Sequence, residues 1–138
     1  MAVLFFSEGI DFHLAKPRST TSWIKATIKK EKKKLHSLNY IFCSDEYLAK
    51  LNIRYLKHKA LTDILSFDNS TDPKSINGEI YISIDRIKEN AIRFKESFDQ
   101  ELHRVIIHGV LHLIGYGDKK ASEKALMREK EEAYLSLR

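Results

Sequence analysis

His108 and His112 stand four residues apart in the string His108-Gly109-Val110-Leu111-His112. On a helix that spacing puts both imidazoles on one face, one turn apart, where they can share a metal ion. Gly115 then offers a natural helix stop. Tyr116 and Gly117 give the chain room to turn back, which brings Asp118 beside the two histidines. Three protein ligands with an open fourth position describe a catalytic metal site, because the open position takes a water whose pKa the metal lowers. The spacing also matches the zinc-protease pattern H-E-x-x-H-x-x-G-x-x-H, but Gly109 stands where that pattern has its general base, so a protease reading loses its proton-transfer group.

Blander readings exist for each residue. The chain has six histidines, so a His-x-x-x-His pair can arise without function. Asp118 can be a turn residue that caps the last helix. What favours the metal is the setting. From Val105 onward apolar residues occur all round the helix, which marks it as buried on most sides, and an unpartnered imidazole there is costly.

The elements that must position this helix can be read in order. Residues 2–6 form a strand. Pro17 and the Ser19-Thr20-Thr21-Ser22 cluster offer several N-caps to a helix whose apolar stripe is Trp23, Ile24, Thr27 and Ile28. Residues 38–42 form a second strand, and Ser44 or Asp45 caps a short helix. Residues 63–67 form a third strand, a polar loop runs from Asp68 to Asn77-Gly78, and residues 79–84 form a fourth strand that pairs antiparallel with the third. A helix with Ile87, Ala91 and Phe94 inward follows. Ser97 and Gln100 make a capping box for the histidine helix, and a last amphipathic helix spans roughly Ala121 to Leu135. This order predicts one α+β domain over residues 1–138, with a small mixed sheet of about four strands packed with about five helices.

Bulk properties narrow the class. The 138 residues carry a formal net charge of +5. No apolar run is long enough to cross a membrane, and the short stretch Ala2–Phe6 has no basic residue before it, which makes a poor signal peptide. The single cysteine, Cys43, forms no internal disulfide and reads as core, which fits a reducing, cytoplasmic setting. Lys25, Lys29, Lys30, Lys32, Lys33 and Lys34 crowd one stretch. That is either a solvated helix face or the electrostatic footprint of a polyanion such as RNA.

The string HGVLHLIGYGD, His108 to Asp118, resembles the YbeY family of endoribonucleases, also called rRNA maturation factors, whose signature runs H-G-x-L-H-L-x-G-Y-D-H. Leu51-Asn52 and Leu61-Thr62-Asp63-Ile64-Leu65-Ser66-Phe67 are similar to its L-N…p-T-D-V-L-S-F segment, and Gly78-Glu79-Ile80-Tyr81-Ile82-Ser83 to its G-D-I-x-I-S strand. Met127 and Glu131 fall where its last helix carries a similar pair. The resemblance covers roughly residues 40–135. It implies one zinc ion per chain, a role in ribosomal RNA processing and small-subunit maturation, and RNA and the small ribosomal subunit as partners. His108 and His112 carry over as ligands. Asp118 stands where the family has a third histidine, and Leu56 where it has an arginine implicated in activity. Arg54 and His58 are the nearby candidates to replace that arginine. The RNA-holding candidates are Lys25, Lys29, Lys30, Lys33, Lys119 and Lys120. Two other readings remain beside the nuclease: a ribosome-assembly factor that binds RNA or protein around a structural metal, and a metal-dependent hydrolase of another substrate.

Overall fold

A computed structural model describes residues 2–56 and 62–138. The strands are β1 (Ala2–Ser7), β2 (Lys34–Cys43), β3 (Ile64–Asp68) and β4 (Ser75–Ser83). The helices are α1 (Pro17–Lys30), α2 (Asp45–Leu51), α3 (Ile84–Arg93), α4 (Phe98–Ile114) and α5 (Ala121–Leu135). A π-helical turn, Asn52–Leu56, extends α2. The sheet order is β1-β2-β4-β3; β1, β2 and β4 run parallel, and β3 pairs antiparallel with β4, with Ile64 opposite Ile82 and Asp68 opposite Gly78. The expected mixed four-stranded α+β architecture is therefore present, as is the antiparallel pairing across the polar loop.

Helix α4 carries the site, and its apolar surround is what the sequence pattern required. Leu102, Val105, Ile106, Ile107, Val110 and Leu111 are all buried and belong to the main core, together with Ile80 and Ile82 of β4 and Trp23, Ile24 and Ile28 of α1. Ser97 caps the helix by accepting from the Gln100 amide at 3.0 Å. Gly115 ends it at φ 127°, a conformation that other residues rarely adopt. Two cross-links pin the layers: the Tyr40 hydroxyl donates to the Ile106 carbonyl at 2.9 Å, and the Trp23 indole donates to the Tyr134 carbonyl at 2.8 Å.

Two local expectations are corrected. Helix α1 starts at Pro17, before the Ser/Thr cluster, so those hydroxyls lie inside the helix and cap nothing at its start. Proline's fixed φ suits it to a first helical position, where it needs no amide hydrogen. Asn77-Gly78 does not close the loop but lies within β4. A side chain at Gly78 would meet the Phe67 carbonyl oxygen at 2.4 Å and Leu113 at 3.3 Å, so the glycine allows β3 and α4 to approach. Cys43 is core, as expected, with no exposure. Burial, with the nearby Asp45, Asp85 and Glu8 charges, pushes its thiol up to about 12.

Candidate active site

His108 sits on a side of α4 that opens to a cleft, with its ring only 22% exposed. Its Nδ1 lies 2.7 Å from Glu131 Oε2 on α5. A carboxylate oxygen only accepts, so Nδ1 carries a proton. Nε2, the nitrogen left to face Asp118, lies 3.3 Å from its Oδ2. Nε2 carries a proton in that ion pair and would give it up to bind a metal. The tight turn after Gly115 has brought Asp118 back onto the helix face, as the glycine spacing implied. The capping alternative for Asp118 is not what the structure shows. The N-cap of α5 is Lys120, and its amide is held by Glu123 Oε1 at 3.0 Å.

The donor pair suits a small divalent ion. Metal–ligand bonds of about 2.0–2.1 Å in tetrahedral geometry separate two ligand atoms by about 3.3–3.4 Å, which is the His108–Asp118 spacing. Histidine with its second nitrogen bound to a carboxylate is also the usual arrangement behind a metal ligand, because the bond fixes the tautomer and raises the ring's basicity. The third expected donor, His112, lies one turn further on, and its side chain is exposed. Among the described residues no three His, Cys, Asp or Glu side chains stand together as a finished metal cage.

The cleft itself, about 390 Å³, is acidic: Asp63, Glu101, Asp118 and Glu131 line it with Arg104 and Arg128. Burial opposes the charged form of His108, but the hydrogen bond and charge of Glu131, with Asp63 and Asp118, outweigh it and raise its pKa. Burial raises Asp63, and the Glu131 and Asp118 charges add to it against His108. Burial likewise raises Glu101, with Asp63 beside it. A carboxyl raised in this way keeps a proton at a pH where ordinary aspartates have lost it, and can exchange it with water in the cleft. So many acids together would repel a phosphodiester; a bound dication is what would reverse that field.

Four residues of this cleft carry no role that a sequence motif assigns. Arg104 is buried and reaches Glu131 Oε1 at 3.4 Å and Glu132 Oε1 at 2.7 Å, so it orients the carboxylate that orients His108. Glu131 and Asp63 lay in segments matched to a family but unassigned. Glu101 and Arg104 had one signal available: charged residues inside an apolar helix, which persist only when paired.

The other candidates fall in three places. Lys119 and Lys120 are exposed on the Asp118 turn. Lys25, Lys29 and Lys30 are exposed along α1, while Lys33 is tied down, donating to the Pro73 carbonyl at 3.0 Å. Glu31, the C-cap of α1, ties that helix to the turn after α4 and to α5, accepting from Tyr116 at 2.6 Å, from the Tyr134 hydroxyl, and from Lys130 at 3.4 Å. Arg54 is exposed, lies over the Tyr55 ring and is not part of the cleft wall. His58 lies outside the described residues.

Comparison with known proteins decides the family. The model of the endoribonuclease YbeY family matches residues 10–137. The chain belongs to the YbeY endoribonuclease family. It is 48% identical over 136 residues to the endoribonuclease YbeY of Cytophaga hutchinsonii, covering 99% of this chain and 95% of that protein. It is 47% identical over 133 residues to that of Amoebophilus asiaticus, covering 96% and 90%. A solution structure of a Thermotoga maritima protein shares the fold at a TM-score of 0.68 and 28% identity, covering 97% of this chain and 87% of that one. In this YbeY-family chain the HGVLHLIGYGD segment is the end of α4 and its following turn, and its first and last residues, His108 and Asp118, line the cleft. No described helix is long and apolar enough to cross a membrane.

Proposed function

We propose that this chain is a metal-dependent endoribonuclease, that it cleaves ribosomal RNA during maturation of the small ribosomal subunit, and that it works in the cytoplasm with one zinc ion held by His108, His112 and Asp118. The single observation that supports it most is the orientation of His108: Nδ1 is committed to Glu131, and Nε2 faces Asp118 at 3.3 Å, the separation of two ligands on one small ion. Family membership supplies the RNA-cleaving class, since the relatives are named as endoribonucleases.

In this reading rotation of the exposed His112 side chain completes the donor set. The ion supplies an activated water and charge to polarise a scissile phosphate. The residues of the chain do the rest. Arg104 and Glu131 hold the His108 ring in one tautomer and one orientation. Asp63 and Glu101 keep a proton reservoir at the cleft wall. Lys119 and Lys120 flank the turn and attract the RNA backbone, and the exposed lysines of α1 extend that field.

The test is a metal analysis of protein purified without chelator, paired with cleavage of structured ribosomal RNA with and without chelator. About one zinc per chain, with cleavage abolished by chelator and restored by zinc, is the expected result. Chelator-resistant cleavage would sink the metal-dependent part, and metal without cleavage would leave a structural ion in a binding factor.

A further inference from the structure

A second and larger cavity lies away from the cleft, between α1, the first half of α4 and the end of α5. It measures about 860 Å³, within the range of about 300–1,000 Å³ usual for small-molecule sites. We propose that this cavity seats one nucleotide of the substrate RNA strand, away from the point of cleavage. The proposal rests on the RNA-cleaving reading for its choice of ligand.

Its wall contains a buried histidine that the catalytic cleft does not use. His103 is only 4% exposed. Its Nδ1 lies 2.7 Å from the Asp99 carbonyl oxygen, which only accepts, so Nδ1 carries the hydrogen. Burial holds the ring's pKa down, against the bond to Asp99. Nε2 is therefore the ring's acceptor, and the Thr20 hydroxyl stands 3.4 Å from it in a long hydrogen bond. A nucleobase N–H that displaces this long bond would gain the His103 acceptor, and Ser19, Thr20 and Ser22 line the space beside it. These are the hydroxyls that α1 does not need as caps.

The mouth is basic. Lys16, Lys30 and Arg138 line it against one acid, Asp99, which pairs with Arg138 at 2.9 Å. Two of these cations sit over aromatic rings: Lys30 over Tyr134 at 5.9 Å and Arg138 over Trp23 at 5.8 Å. A third pair, Lys130 over Tyr116 at 5.6 Å, lies on the turn that carries Asp118. Glu31 touches Tyr116, Lys130 and Tyr134, which joins two of the pairs, and the Trp23 indole donates to the Tyr134 carbonyl at 2.8 Å, which joins the third. The row leads from Tyr116, on the turn before Asp118, to the cavity. Cations interleaved with aromatic rings are the usual track for a single strand, and this continuity argues for a strand rather than a separate small molecule.

Trp23 is the only tryptophan in the chain, so its emission reports on the cavity alone. Ala26 and Ser22 line the cavity from the exposed side of α1, and larger residues there fill it without entering the core. The probe is a short 2′-O-methylated single-stranded RNA. It is expected to change Trp23 emission saturably, and Ala26→Phe and Ser22→Leu are expected to remove that response. With cleavable RNA both variants should raise KM by at least about fivefold, the lower end of what one base contact contributes, with kcat unchanged. Thermal melting checks that each variant folds; if one does not, the other carries the test. RNA that binds without changing Trp23 emission, or wild-type KM in both folded variants, would overturn the proposal. So would adenosine monophosphate that saturates the Trp23 response while RNA affinity ignores the substitutions, since the cavity would then serve a free nucleotide. If Trp23 responds to RNA but no RNA is cleaved, the nuclease reading fails and the cavity assignment stands.

Discussion

His108 Nδ1 donates to Glu131 Oε2 at 2.7 Å, and that bond alone determines which nitrogen faces the cleft. Glu131→Gln keeps the size of the side chain but weakens the acceptor and frees the ring to turn. Loss of such an outer partner costs about 10- to 100-fold in metal affinity or activity. Isothermal titration with zinc should show that loss in Glu131→Gln and near-complete loss in His108→Ala. Wild-type affinity in Glu131→Gln would mean that the carboxylate serves only Arg104.

Gly109 had looked in the sequence like a missing catalytic glutamate. Its reason is packing. A Cβ there would stand 2.8 Å from Ile80 Cδ1 and 3.0 Å from Ile64 Cδ1, so α4 lies directly on β3 and β4. Gly109→Ala should destabilise the fold by about 1–3 kcal/mol, as overpacking of a tight core does, and Gly109→Glu by more. Denaturant melts check both. An unchanged midpoint for Gly109→Ala would show that the two isoleucines can move aside.

These cases mark what could be read in advance. The helix boundaries of α4 and α5, the antiparallel β3–β4 pairing and the return of Asp118 followed from periodicity, capping and glycine punctuation, which are local signals. The Arg104–Glu131–His108 relay joins residues 23 and 27 positions apart across two helices, and no local pattern encodes that partnership. The same limit hid the α1 cavity: Thr20 and His103 are 83 residues apart. Of the starts that Pro17 and the Ser/Thr cluster offer, Pro17 opens α1, which leaves the Ser19 to Ser22 hydroxyls inside the helix.

The exposed lysines of α1 should bind RNA non-specifically, with affinity falling steeply as salt rises. For a single strand each phosphate contact adds about 0.7 to the slope of log K against log salt. Reversing Lys25, Lys29 and Lys30 together should therefore lower the slope by about 2. Lys33→Glu alone should change it little, because its ammonium is already bound to the Pro73 carbonyl. Filter binding across a salt series measures both; a full unit of slope lost on Lys33→Glu would place Lys33 in the interface after all.

Glu31 ties α1 to the Asp118 turn and should make the fold sensitive to acid. Burial alone would raise its pKa, but the bonds from Tyr116 and Tyr134 and the charge and bond of Lys130 leave it below its ordinary value of 4.5. A carboxyl lowered in the folded state stabilises that state above its unfolded pKa. The contribution disappears as pH falls through the lowered folded value. Glu31→Gln should thus cost about 1.5–3 kcal/mol at neutral pH, the range for hydrogen bonds to a charged group, and the gap to wild type should close well below pH 4.5. Equal gaps at neutral and acid pH, measured by urea melts, would show that Glu31 acts by packing and not by charge.

Asp118 carries the most specific prediction, because it stands where the resemblance implies a histidine. Zinc held by two imidazoles and one carboxylate leaves the site with a charge of about +1 instead of +2, which polarises water and attracts phosphate less strongly. Lys119 and Lys120 are exposed directly beside it and restore positive field at the same edge of the cleft. Three variants separate ligation from field. Asp118→Ala should lose metal, since only His108 and His112 remain. Asp118→His should keep zinc and bind harder ions such as manganese less well, because imidazole is the softer donor. Lys119→Ala with Lys120→Ala should keep metal but raise KM for RNA, most strongly at low salt where the field is least screened. Metal titrations of each, set beside KM at two salt concentrations, decide the matter. Asp118→Ala with wild-type zinc affinity would remove Asp118 from the ligand set, and its 3.3 Å approach to His108 would then be an ordinary ion pair.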